Sequence, residues 1–223
     1  MSESPSSDSF FMRCARSRAA MGWLVVALAL AAYGNTIFSD FAFDDLKTIR
    51  NNPLLKSPRF WRDFASRDYF WMSGESTWRP LVTLSNRLDY ALYGAWAGGY
   101  HLSNLLLHAL NAWLAYWIVQ AWNPLPAWGA VAGAIVAAHP AGTEAVNGVS
   151  FREDLLAATF MLLSWLALHR GAGGDTRPAW MAAASALFLF ACLSKESGLA
   201  LVPLAAAGAR AGLLAAPAGR RMT

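Results

Sequence analysis

Long apolar runs broken by short polar segments pattern almost the whole chain. The first, residues 19–38, carries no charge and is long enough to cross a bilayer, which takes ~20 residues. Further apolar runs cover 100–122, 127–139, 154–169, 179–193 and 198–214. Several are near the lower length limit for spanning. The pattern predicts an all-α integral membrane protein, a multi-pass bundle of about six spans within residues 19–215.

Segment 39–99 interrupts the pattern. A loop of that length normally has structure or function. Within it, Ser57-Pro58 reads as a helix start, with Ser at the N-cap and Pro at the first helical position. Residues 58–64 set Phe60, Trp61 and Phe64 on one side and Arg59, Arg62 and Asp63 on the other. This predicts a short helix lying along the membrane surface. Gly94, Gly98 and Gly99 mark the turn before the second span.

Charge sets the expected orientation. Arg13, Arg16 and Arg18 precede the first span, Arg170 and Arg177 lie in a later loop, and Arg220 and Arg221 lie near the end. The positive-inside rule then puts the N-terminus in the cytoplasm. Residues 1–18 form a disordered tail, 216–223 form a second cytoplasmic tail, and 39–99, 140–153 and 194–197 lie outside. Arg residues before an apolar run also fit a cleaved signal peptide, but the length of the run and the later spans favour an uncleaved anchor.

Composition supports the membrane reading. The chain is 56% hydrophobic and 14% charged, against about 25% charged in an average soluble domain. The net charge of +4 fits positive-inside loops better than nucleic-acid binding. Cys14 and Cys192 are expected far apart, with no disulfide and no metal site. G-x-G-x-x-G, Walker and H-E-x-x-H patterns are absent from the sequence.

The candidate chemistry sits at the ends of the apolar runs. Asp44-Asp45 lies just past the first span. From the residues alone the pair fits a general base, a cation site or the cap of a loop helix. Arg79 precedes another apolar stretch. His101, Asn104, His108 and Asn111 fall within roughly 80° of arc on the second span. Such a stripe suits inter-helix hydrogen bonding, with His101, nearest the outer face, placed to touch substrate. His139-Pro140 ends the third run, and Glu144 follows in the loop. Ser150 and Glu153 read as a capping box opening the fourth run, with Glu153 and Asp154 favoured there by the helix dipole. Arg152 suits a phosphate at the membrane face, or a headgroup or salt bridge. Lys195-Glu196 forms a charged hairpin, read either as a mutual ion pair or as a phosphate-facing lysine. Asp44, Arg79, His101, Glu144 and Arg152 are expected to converge at the outer face.

Taken in order, these motifs resemble a known family. They are Phe43-Asp44-Asp45, Trp78-Arg79-Pro80-Leu81, the run from Gly99 to His108, His139-Pro140 with Thr143-Glu144, Arg152-Glu153-Asp154 and Leu193-Ser194-Lys195-Glu196. The set resembles the membrane half of the tetratricopeptide-repeat O-mannosyltransferases, the type that modifies cadherins, and their bacterial relatives. More distantly it is similar to the protein O-mannosyltransferases of the GT-C glycosyltransferase fold. The resemblance implies a GT-C-type bundle and a polyprenyl-phosphate sugar donor. It implies inverting transfer to a hydroxyl acceptor, such as a protein Ser or Thr, on the extracytoplasmic face. It implies Asp44 as the catalytic carboxylate, with Asp45 positioning acceptor or base. Arg79, His101, His139, Glu144, Arg152, Lys195 and Glu196 would serve donor and substrate. The donor carries its own activation, so no cofactor and no metal is called for. The membrane would be a bacterial inner membrane, or the endoplasmic reticulum in a eukaryote. Trp78 and Phe151 depart from the family's usual Tyr and Gly, and the chain is shorter than family members. A non-catalytic scaffold or lipid-binding subunit of the same fold, or an inactive fragment, is the alternative.

Overall fold

A computed structural model describes residues 17–64, 66, 77–123, 125–172 and 177–214. Arg13, Arg16, Cys14, Arg220 and Arg221, with most of both expected tails, lie outside the described residues. Every regular element described is helical. The long helices are α1 (Arg18–Tyr33), α2 (Pro80–Tyr93), α3 (Ala97–Trp122), α4 (Pro126–Ala138), α5 (Arg152–Gly171), α6 (Arg177–Ser194) and α7 (Leu201–Arg210). Helix α1 runs on as the 3-10 turn Gly34–Phe38.

Helices α1, α3 and α4 pack on one another, α5 packs on α3, and α6 packs on α5. The first of these contacts is built from small residues. Gly22, Val25 and Ala29 of α1 and Gly129, Gly133 and Ala137 of α4 are buried, along with Ala109, Ala112 and Tyr116 of α3. Small residues let helix backbones approach closely, as membrane interfaces require. A Cβ added to Gly133 would lie 2.7 Å from Val25 Cγ1, so no larger side chain fits without a shift.

Three helical segments among the described residues are long and apolar enough to cross a membrane: Arg18–Phe38, Ala97–Trp122 and Arg177–Ser194. They mark a membrane protein, and the other expected spans do not reach that length and apolarity among the described residues. The third apolar run is a 13-residue helix held between Pro126 and the His139-Pro140 stop. The fourth gives the 20-residue α5, which opens on Arg152-Glu153-Asp154 and closes on His169-Arg170. The sixth loses its first residues to the 3-10 turn Glu196–Ala200, leaving the ten of α7.

The described residues of segment 39–99 fold onto the helix ends. A π-helical turn Leu46–Arg50 is followed by helices Pro53–Lys56 and Phe60–Asp63. Asn52 caps the first of these, accepting from Leu54 N and Leu55 N. The helix expected from Pro58 starts later, at Phe60, because Ser57 Oγ accepts from Arg59 N in a local turn. Phe60 is buried with Phe41, Ile49, Leu55, Tyr100 and Val149, whereas Trp61 is exposed on the other side. The two rings therefore do not share one membrane-facing side.

The sequence reading did not anticipate α2. Pro80 sits at its first turn, and Gly94, at φ +61°, ends it. Gly98 and Gly99 belong to α3 itself. Helix α2 is tied to the bundle by an ion pair, Arg152 Nη2 to Asp89 Oδ2 at 2.6 Å. Both partners are buried, and Asp89 Oδ1 accepts from Ser103 Oγ at 2.7 Å. Arg152 also donates to Asn104 Oδ1 and Tyr100 O.

Removing one partner of such a pair leaves an uncompensated buried charge, at a cost of about 3–5 kcal/mol. We expect Asp89→Ala to lower the melting temperature of the detergent-purified protein well below that of surface controls. Joint replacement of Asp89 and Arg152 by Leu and Met should recover part of the loss. A melting temperature unchanged by Asp89→Ala would show that the pair holds nothing in place.

Candidate functional site

The Phe43-Asp44-Asp45 motif sits where α1 gives way to the folded loop. Phe43 adopts φ +48°, a region that bulky residues rarely occupy, and its ring is 93% exposed. The turn that follows separates the two carboxylates. Asp45 points inward and is buried. Its carboxylate accepts from Ser150 N at 2.7 Å, Ser150 Oγ at 2.6 Å, Val149 N at 3.3 Å and Ala42 N at 3.3 Å. Asp44 is exposed, and its carboxylate has no hydrogen bond or ion pair among the described residues. Its backbone oxygen accepts from Thr48 Oγ1, which also meets Ser150 Oγ at 3.1 Å.

Asp44 opens onto a cleft of about 310 Å³. The π-helical turn supplies Lys47 and Thr48 to its wall, the start of α2 supplies Arg79 and Asn86, and the start of α5 supplies Glu153. Ser150 and Phe151 complete that side. Asn86 is 5% exposed, and its Oδ1 has no partner among the described residues.

A charge network sits beside the cleft. Arg79 pairs with Glu153 and, through Nη2, with both oxygens of Glu196 at 3.0 and 3.1 Å. Lys195 Nζ donates to both oxygens of Asp154 at 2.6 and 2.7 Å. The hairpin thus ties the starts of α2 and α5 to the α6–α7 turn. Burial pushes Arg79 and Lys195 down, but their carboxylate partners outweigh it and hold both cations above their ordinary pKa. The Glu196 carboxyl is held below its ordinary range, first by its own backbone amide and then by Arg79. Its contribution is therefore complete above the ordinary glutamate pKa and lost as pH falls through the depressed value.

Several expectations are corrected here. Lys195 and Glu196 pair across the turn with Asp154 and Arg79 rather than with each other. The capping box at Ser150 does not form. Its hydroxyl is committed to Asp45, Glu153 is committed to Arg79, and α5 starts at Arg152 with no side-chain cap. Of the residues expected to converge, Asp44 and Arg79 line the cleft. Asp45 is buried in its own anchor. His101 is fully buried, with Nδ1 3.2 Å from Thr36 Oγ1, because the stripe on α3 faces other helices. Asn104 donates to Ala145 O and Gly148 O, His108 meets Ala137 O, and Asn111 donates to Leu155 O. Arg152 is held inside the bundle by Asp89. His139 and Glu144 lie exposed at the end of α4, where His139 Nδ1 accepts from Ala141 N.

Sequence reasoning missed Lys47, Thr48 and Asn86. Lys47 was legible as the residue three positions after Asp44 at the start of a turn. Asn86 depended on recognising α2. Among the described residues no group of three or more His, Cys, Asp or Glu gathers as a metal cluster.

Comparison with known proteins gives the relationship. The chain is 35% identical over 190 residues to protein O-mannosyl-transferase tmtc2 of Xenopus laevis, covering 81% of this chain and 23% of that protein. It is 33% identical over 187 residues to human protein O-mannosyl-transferase TMTC3, covering 80% and 20% respectively. It is 37% identical over 189 residues to protein O-mannosyl-transferase Tmtc2 of Drosophila melanogaster, covering 78% and 20%. No family model and no solved structure matches. The chain thus spans about a fifth of the length of these curated relatives. Over most of its own length, this chain is a homologue of the TMTC protein O-mannosyl-transferases.

Proposed function

We propose that this chain forms part of a GT-C-type glycosyltransferase that moves mannose from a polyprenyl-phosphate donor to a protein Ser or Thr hydroxyl. Transfer takes place on the extracytoplasmic face and inverts the anomeric centre. The relatives' names support the mannosyl transfer. The observation that carries the reading is the division between two adjacent carboxylates. Asp45 is consumed by four hydrogen bonds, while Asp44 faces an open cleft that also holds cations.

In this reading the acceptor oxygen bonds to the anomeric carbon as the bond from that carbon to the phosphate oxygen breaks. The hydroxyl proton passes to Asp44, and the bonding pair leaves on the phosphate. Lys47 meets the developing charge most directly, because it makes no ion pair among the described residues. Arg79 adds a second cation already shared with Glu153 and Glu196. Lys195 and Glu196 position Arg79 rather than touch the donor. Arg152 positions the start of α5 through Asp89 and Asn104.

The complete enzyme tests this. Asp44→Asn should lower transfer from a radiolabelled polyprenyl-phosphate mannose by about 10²–10⁴-fold, with donor affinity and melting temperature retained. Asp45→Ala should act differently. It leaves the Val149 and Ser150 donors without their acceptor, so it should lower stability by about 1–3 kcal/mol. Near-normal transfer by Asp44→Asn would reject the catalytic assignment and favour the non-catalytic scaffold.

Orientation is tested separately. From the arginines before the first span we infer a cytoplasmic N-terminus with the Asp44 cleft outside. Single cysteines placed at exposed positions of the folded loop, such as Lys56, should react with a membrane-impermeant thiol reagent in intact cells. Reaction only after permeabilisation would reverse the topology.

A further inference from the structure

The far end of the bundle holds a second cavity. It has a volume of about 440 Å³ and lies among the start of α1, the last turns of α3 and the last turns of α5. That size falls in the ~300–1,000 Å³ range of ligand pockets. From His101 at the cleft end of α3 to Gln120 at this cavity, the helix rises about 28 Å at 1.5 Å per residue. That rise matches the ~30 Å of bilayer hydrocarbon, so the cavity sits at the opposite membrane interface.

Its lining divides by chemistry. Trp113, Leu114, Leu163 and Leu166 make apolar walls, and Arg18, His169 and Arg170 supply basic groups. Among the described residues no acidic residue lines it. Arg170 is exposed, lies 5.4 Å over the Trp180 ring and has no carboxylate partner among the described residues. Two polar atoms are buried there with no partner among the described residues: Trp117 Nε1, a donor, and Gln120 Oε1, an acceptor. Gln120 is 6% exposed, and its Nε2 already donates to Leu125 O at 3.0 Å, which fixes which atom is left. Neither atom has surface open to the cavity, so a ligand there is held by the basic groups and the apolar walls.

We propose that this cavity binds one anionic phospholipid, such as phosphatidylglycerol. The negative charge of the headgroup meets Arg170 and Arg18, and an acyl chain lies along the apolar walls. This site is separate from the Asp44 cleft and does not rest on the transfer reaction. It needs no residue assigned to that reaction.

The experiment uses the complete protein in detergent, titrated with phosphatidylglycerol or with phosphatidylcholine of the same acyl chains, and counts bound lipid by native mass spectrometry. One phosphatidylglycerol should bind at least about tenfold more tightly than phosphatidylcholine. Arg170→Gln should remove about tenfold of the phosphatidylglycerol affinity and leave phosphatidylcholine unchanged, while Arg170→Lys keeps most of it. If Arg170→Gln does not fold, Arg18→Gln is decided by the same ratio. Equal binding of the two lipids overturns the proposal. So does no lipid bound at all, the result expected if another helix of the complete protein fills the cavity.

Discussion

Burying a guanidinium is costly unless it is paired and hydrogen-bonded, and Arg152 meets both conditions at once. Its contacts come from three directions: Asp89 on α2, and Asn104 and Tyr100 on α3. It sits at the first residue of α5. Those contacts therefore fix the start of α5 against α2 and α3. The neighbouring Glu153 and Ser150 are placed as a consequence. Glu153 pairs with Arg79 and Ser150 donates to Asp45 on either side of the anchored Arg152. The cleft is thus assembled by a residue that does not line it.

The two adjacent aspartates divide the labour of the motif. Asp45 behaves as a covalent staple would, holding the turn at Ala42 to the turn at Val149–Phe151. Asp44 is left facing outward by the same geometry. The left-handed backbone at Phe43 belongs to this arrangement, since strained backbone persists where surrounding contacts over-determine it. Sequence adjacency hides this difference completely, and only the hydrogen-bond partners reveal it.

The helical class and the positions of the main helices were legible from the apolar runs, because burial in lipid demands uncharged length. Boundaries of α1, α3 and α6 differ from the expected ones by a few residues. The polar stripe on α3 was legible as inter-helix bonding for Asn104 and Asn111 by its spacing. Helix α2 was not legible, because Arg87 and Asp89 break its apolar character while their side chains are used inside the fold. Arg152 shows the same limit. A lone arginine near a membrane face suits a phosphate on chemistry alone, and its true partner is 63 positions earlier in sequence, in an element that apolarity does not announce.

Helix α4 has a consequence for the membrane around it. Trp128, Val131 and Ile135 are exposed along its length, an apolar face suited to lipid. At 13 residues it is about 20 Å long, some ten short of the usual hydrocarbon thickness. A bilayer adapts to a short wall by thinning against it, at fractions of a kcal/mol per Å. The protein would therefore sit in a dimple of its own making. Such a dimple would lie on the side of the bundle away from α5 and α6.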